Sequence, residues 1–273
     1  MMTAEQRYLF DVQGYLHIKG ALNTEEVRVA RAAAERYMDT PAQELPLGFE
    51  IEGRLHKHGF AFDSALQALT LHPSIWPIVR ELTNEKPRLV SGTLQVSRYD
   101  LQDEATRLHC AREDWGWESS RFECRDGRIF TDHVVVFPYL TDVQPGDGGV
   151  VVLPGSHKAH FARPEHLFNS GSLDGGSLPE GLLNLTPAAG DMVIISESLT
   201  HGALPWNARD RQRIILVLRY RPQTVAAGAL PDEIVARLLP EVRELVAAAG
   251  HTDRKAITQS DHVNISFTKE TKL

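Results

Sequence analysis

Cysteine is scarce in this chain of 273 residues. Cys110 and Cys124 are too few for a disulfide framework, and no zinc-ligand spacing is present. Long apolar runs are missing too: nothing approaches the ~20 consecutive residues that cross a bilayer, and Met1–Phe10 has no apolar signal core. A reducing, cytoplasmic setting is the default expectation. Positive charge is in deficit, with 29 Lys and Arg against 36 Asp and Glu and a net charge of −7. No basic stripe is available for nucleic acid or an anionic membrane surface, so neither is expected as a partner. Repeats, low-complexity runs and Gly/Pro-rich linkers are also absent, and residues 1–273 read as a single domain. A chain this long buries roughly three-quarters of its unfolded surface and folds without a metal or disulfide staple.

What is there divides into two textures. Thr3 with Gln6, and Asn23 with Glu26, are capping-box pairs that predict helices over 4–12 and from 24 onward. In the second, Val27, Ala30, Ala34 and Tyr37 fall on one face. Gly14 ends the first helix, Tyr15–Ile18 reads as a strand, and Pro73 suits the first turn of a helix towards Leu82. From residue 88 the chain turns β-branched and aromatic: Leu89–Arg98, Phe130–Leu140, Gly149–Leu153, Met192–Ile195 and Arg213–Tyr220 are predicted strands. Pro145-Gly-Asp-Gly-Gly149, Pro154-Gly-Ser-His157 and Ala189-Gly-Asp191 punctuate them as turns. Short strands without intervening helices predict a mainly β fold with flanking helices, an antiparallel double-sheet jelly roll. The expected layout is a helical layer over 1–87, the jelly-roll core over 88–222, and C-terminal helices (about 231–249) and a tail over 223–273.

His109 and His201 each sit at the end of a predicted strand, and Arg213 follows the second. Two imidazoles with one carboxylate on one side of Fe(II) form an oxygen-activating arrangement. A nearby arginine suits the carboxylate of a co-substrate through two parallel hydrogen bonds.

The segments Phe10-Asp-Val-Gln-Gly-Tyr-Leu-His-Ile-Lys-Gly20, Val134–Lys158 with its Leu-Pro-Gly-Ser-His-Lys ending, and Gly190–Ile195 through His201 to Arg213–Tyr220 carry a resemblance. They are similar to the phytanoyl-CoA dioxygenase family of Fe(II)- and 2-oxoglutarate-dependent oxygenases. The resemblance implies a double-stranded β-helix of the cupin-like kind, with Fe(II) and 2-oxoglutarate as cofactors. It implies metal ligands at His109 and His201, and Arg213 on the co-substrate's far carboxylate, with Arg211 as the fallback. Phe137 aligns with an aromatic near the co-substrate, and His133 shares its strand face. The implied reaction is hydroxylation of a small organic substrate by molecular oxygen, with succinate and carbon dioxide as co-products.

The chain departs from the family at one place: Ala111 stands where the resemblance calls for a carboxylate ligand. Glu113 in the following loop heads the replacements, with Asp114, Glu197 and His133 as alternatives. An Fe(II)/2-oxoglutarate-dependent halogenase, with halide at the position Ala111 leaves open, is the second reading. A non-catalytic jelly-roll binding protein is the third. His157 and Asp147 read as turn-stabilising residues. Trp115 and Trp117 fit either a substrate mouth or loop packing, and Arg219, on the Arg213 face but further along, is assigned no role.

Overall fold

Both N-terminal helices begin as their capping boxes dictate. The Thr3 and Asn23 side chains accept the backbone N–H of Gln6 and Glu26, whose side chains reach back to the cap N–H groups. The first helix, α1 (Ala4–Gln13), stops at Gly14, whose φ of 80° is a conformation glycine enters without steric cost. A β-carbon at Gly14 would also lie 2.5 Å from the His157 ring. In α2 (Thr24–Asp39), Ala30, Ala33, Ala34 and Tyr37 are buried as one stripe. This computed structural model describes residues 1–101, 106–114, 121–164, 173, 178–265 and 267.

Two antiparallel sheets form the β core. The larger joins β1 (Tyr15–Ile18), β11 (Met192–Ser196), β8 (Val134–Pro138), β13 (Arg213–Pro222) and β4 (Pro87–Ser97) in that spatial order. The short strands β3 (Leu55–His56) and β2 (Ile51–Glu52) extend it. The smaller runs β10 (Leu183–Asn184), β9 (Gly149–Val152), β12 (His201–Leu204) and β5 (Thr106–His109). Strand alternation assigns the two faces of the larger sheet to different cores. Ile214, Leu216, Leu218 and Tyr220 of β13 pack outward with Tyr37, Trp76 and Leu245 from the flanking helices. Ile215 points inward with Val135, Phe137, Val193 and Ile195, and meets Val150 and Val152 of the smaller sheet. The molecule is a jelly roll with helices laid on its outer face.

Three predicted elements are subdivided. The strand expected over Phe130–Leu140 breaks at Asp132 and His133 into β7 (Arg128–Thr131) and β8, and β7 pairs instead with β6 (Phe122–Arg125). The turn between them, Asp126-Gly127, has φ of 52° and 72°, the positive values a two-residue hairpin demands. The irregular loop expected from Cys110 to Asp126 therefore contains β6, and also the one-turn helix α5 (Ala111–Asp114). The helical pattern expected over about 231–249 divides into Asp232–Ala236 and Pro240–Val246. Pro240 lacks the N–H that would continue the first and occupies the first turn of the second. Trp115 and Trp117 lie outside the described residues.

Candidate metal centre

His109 ends β5 and His201 opens β12, and the two are direct cross-strand partners. Opposed positions on antiparallel strands bring side chains on one face together, and here the ring centroids are 4.2 Å apart. A register shift between His201 and Ala203 interrupts the pairing immediately afterwards, the kind of irregularity that re-aims side chains beside active sites. The Nδ1 of His109 lies 2.8 Å from the Arg107 carbonyl oxygen, and Nδ1 of His201 lies 2.7 Å from that of Leu199. A carbonyl only accepts, so each Nδ1 carries a proton and Nε2 is the nitrogen left to offer a lone pair when the ring is neutral. That is the tautomer a metal requires, fixed by backbone.

Glu197 completes the group. It sits in the turn between β11 and β12, four residues before His201, and its side chain is fully buried. Backbone bonds tie the turn on both sides: the Glu197 N–H donates to the His133 carbonyl at 3.0 Å, and the Ala111 N–H donates to the Glu197 carbonyl at 2.7 Å. Ligand atoms of His109, Glu197 and His201 all lie within 4.8 Å of one another, the one such cluster of three or more among the described residues. The Oε1 of Glu197 accepts from Arg219 at 2.9 Å, whereas Oε2 is buried with no hydrogen-bond partner among the described residues. Leaving a buried acceptor unsatisfied costs roughly 1–3 kcal/mol, and a cation between the imidazoles would satisfy it.

Protonation states agree with that use. Burial pushes the Glu197 pKa up, but the combined pull of His201, Arg219, His133 and His109 outweighs it and holds the carboxyl well below its usual range. Burial drives His201 down to about 4, so its ring is neutral near pH 7. An ionised carboxylate and a neutral imidazole are the forms that bind a metal ion.

The other sequence candidates for the third ligand are placed elsewhere. Glu113, the first choice, is an exposed residue on α5 whose carboxylate faces the Arg163 guanidinium at 3.5 Å. It is not in the cluster, and its carboxylate engages Arg163 instead. Asp114 caps the Cys110 N–H at 2.8 Å. His133 is buried inside the barrel mouth beside Glu197, with Nδ1 3.3 Å from an Arg221 nitrogen, and burial pushes its pKa down to about 4. It stands next to the cluster without joining it.

At the other end of β13, Arg213 is 1% exposed and directed inward, where one amino group donates to Ser97 Oγ at 3.0 Å. Trp206 lies 6.0 Å away, and the Tyr139 hydroxyl is buried nearby without a hydrogen-bond partner among the described residues, its pKa raised by burial to about 12. Gly149 makes room: a β-carbon there would lie 2.7 Å from the guanidinium. A buried guanidinium with a hydroxyl donor beside it suits a carboxylate. Phe137 is buried in the inner apolar cluster with Tyr139, Trp206 and Ile215. Arg211, the fallback, is instead spent outside, paired with Asp147 and Asp210. Asp147 also accepts the Gln144 N–H and so serves its turn, whereas buried His157 bonds the Asp11 carbonyl of α1 at 3.0 Å and ties its turn to that helix. Sequence reasoning missed Tyr139, Ser97 and Arg219; only the two-residue spacing along β13 hints at Arg219.

The family model of phytanoyl-CoA dioxygenase matches residues 10–213. No curated protein sequence gives a significant match. Among solved structures, HygX from Streptomyces hygroscopicus with nickel and 2-oxoglutarate bound is 26% identical, covering 84% of this chain and 90% of that one, with a TM-score of 0.68. HygX has also been solved with nickel, 2-oxoglutarate and hygromycin B bound, at the same identity and coverage and a TM-score of 0.67. The 2-oxoglutarate-dependent carbocyclase SnoK from nogalamycin biosynthesis shares the fold, at 23% identity over 88% of this chain and 92% of that one, with a TM-score of 0.60. With the matched segment running from α1 to the first residue of β13 and taking in both histidines, the chain belongs to the phytanoyl-CoA dioxygenase family, within the iron- and 2-oxoglutarate-dependent oxygenases.

Proposed function

We propose that the chain is an Fe(II)- and 2-oxoglutarate-dependent dioxygenase that hydroxylates a small organic substrate and releases succinate and carbon dioxide. The observation that carries this reading is the convergence of His109, Glu197 and His201 in the same barrel that buries Arg213. Nε2 of each histidine and Oε2 of Glu197 would hold the metal; two neutral imidazoles and one carboxylate are the donor set suited to Fe(II). Arg213, Ser97 and the Tyr139 hydroxyl would grip the far carboxylate of 2-oxoglutarate. Bound there, iron and 2-oxoglutarate together supply the oxidising chemistry, and the protein contributes ligation, orientation and a dry wall. That wall is Val135, Phe137, Val193, Ile195 and Ile215, which keep water from the space between the two anchors. The reading also places the protein in the cytoplasm with molecular oxygen as co-substrate, in keeping with two free cysteines.

Halogenation is the weaker reading. It was invited by the methyl group at Ala111, but Glu197 brings a carboxylate to the same two imidazoles. The test is succinate formation by purified protein with Fe(II), oxygen and 2-oxoglutarate, with and without panels of small polar molecules. Iron-dependent succinate is expected from the wild type. Arg213→Gln should weaken 2-oxoglutarate binding by at least about tenfold, the loss of one charged hydrogen-bonded contact, at unchanged metal affinity. No succinate from the wild type, together with unaltered 2-oxoglutarate binding in Arg213→Gln, would refute the proposal.

A further inference from the structure

The geometry points to Arg219 as the positioning residue of the metal centre: its guanidinium holds one oxygen of Glu197 so that the other is presented to His109 and His201. The inference rests on the reading of this cluster as a metal site. Arg219 lies on the inward face of β13, cross-strand from Val135 and Ser91. It bonds Oε1 of a carboxylate that is otherwise wholly enclosed. Among the described residues, Arg219 makes the one side-chain ion pair to Glu197.

Two physical consequences give Arg219 a function beyond packing. A glutamate reaching a metal from a turn has three side-chain torsions to fix, and without Arg219 nothing among the described residues fixes them by hydrogen bonding. A metal would then meet a ligand that must be ordered on binding, at a cost in affinity. Arg219 also occupies Oε1, so the carboxylate has one oxygen to give rather than two. A carboxylate that held the metal through one oxygen would leave more of its coordination open to a two-point 2-oxo acid and a further small molecule than one holding it through both. The carboxylate that the family supplies two residues after the first histidine is here supplied by a turn and steadied by a strand.

The experiment compares wild type with Arg219→Met, Arg219→Gln and Arg219→Lys, each prepared metal-free. Calorimetric Co(II) affinity, 2-oxoglutarate affinity of the Co(II) form and the metal-free Tm are measured for all four. Arg219→Met is expected to bind Co(II) 10- to 100-fold more weakly, the usual range for losing a partner that orients a metal ligand. Arg219→Gln, a donor without charge, should fall between, and Arg219→Lys should recover most of the affinity. Removing Arg219 leaves Glu197 Oε1 buried and unsatisfied as well, so the metal-free Tm should fall by about a few degrees in Arg219→Met. Co(II) affinity is therefore read well below each variant's Tm, where a purely structural role would leave it unchanged. Equal Co(II) affinity in Arg219→Met and wild type would overturn the proposal. So would a loss confined to 2-oxoglutarate binding, since Arg219 would then serve the co-substrate. A wild type that binds no Co(II) would sink the metal-site reading itself, a result distinct from either.

Discussion

Glu197→Gln removes one negative charge from the centre while keeping the side chain's size, and its effect can be worked from the structure. Glu197 is fully buried and its partners in the cluster are two imidazoles, so it is the one carboxylate the cluster offers a dication. At an effective dielectric near 20, a unit charge pair about 4 Å apart is worth roughly 4 kcal/mol. The amide oxygen of Gln remains a neutral ligand and takes back part of this, leaving an affinity loss on the order of 100-fold. At a metal concentration of about 100 times the wild-type Kd, binding stabilises the wild type by roughly 2.7 kcal/mol and the variant by roughly 0.4 kcal/mol. In a domain of this size the difference lowers the metal-induced rise in Tm by about 5 °C. Differential scanning fluorimetry with Co(II) or anaerobic Fe(II) reads it directly. Because the Ala111 N–H bonds the Glu197 carbonyl, the two positions are backbone neighbours, and Ala111→Asp added to Glu197→Gln should restore most of the shift. An undiminished shift in Glu197→Gln, or its loss in Glu113→Gln, would refute the assignment.

Two further outcomes are expected. Gly149→Ala places a methyl group 2.7 Å from the Arg213 guanidinium at a residue with φ of 84°, so 2-oxoglutarate affinity should fall by about tenfold or more, measured calorimetrically, while Co(II) affinity stays. His157 is buried and its pKa is pushed down by burial to about 4 from 6.5, so the unfolded chain takes up a proton that the folded one refuses between those values. Stability should therefore be full above about pH 6.5 and fall as the pH drops towards 4, by up to about 3 kcal/mol from this residue. Urea unfolding across that range should show a shallower fall in His157→Gln; identical slopes would count against it.

Much of the architecture is a local matter and was legible in the residues. Capping boxes at Thr3 and Asn23 place α1 and α2, because a helix start is decided within four residues. Two-residue alternation in Arg213–Tyr220 separates the outer core from the barrel interior, because strand geometry leaves no other option. The motifs around Val134–Lys158 and His201 pointed to the family, and Arg213 rather than Arg211 is the arginine that faces inward. The breaks at Asp132–His133 and at Pro240 were harder to see, since a β-rich run or a helical pattern continues across each in sequence while pairing does not.

The identity of the converging carboxylate was beyond sequence. Glu113, Asp114 and Glu197 are chemically equivalent candidates, and chain proximity to His109 favours the first two. Only tertiary structure turns Glu113 towards Arg163 and pins the turn at Glu197 between the backbones of His133 and Ala111. Side-chain type is written in the chain, but which side chains meet is set by strand register and by the packing of turns, and these are properties of the whole fold. Imidazoles at 109 and 201, an arginine at 213 and a methyl group at 111 belong to the sequence; the carboxylate beside them, and the guanidinium that steadies it, belong to the structure.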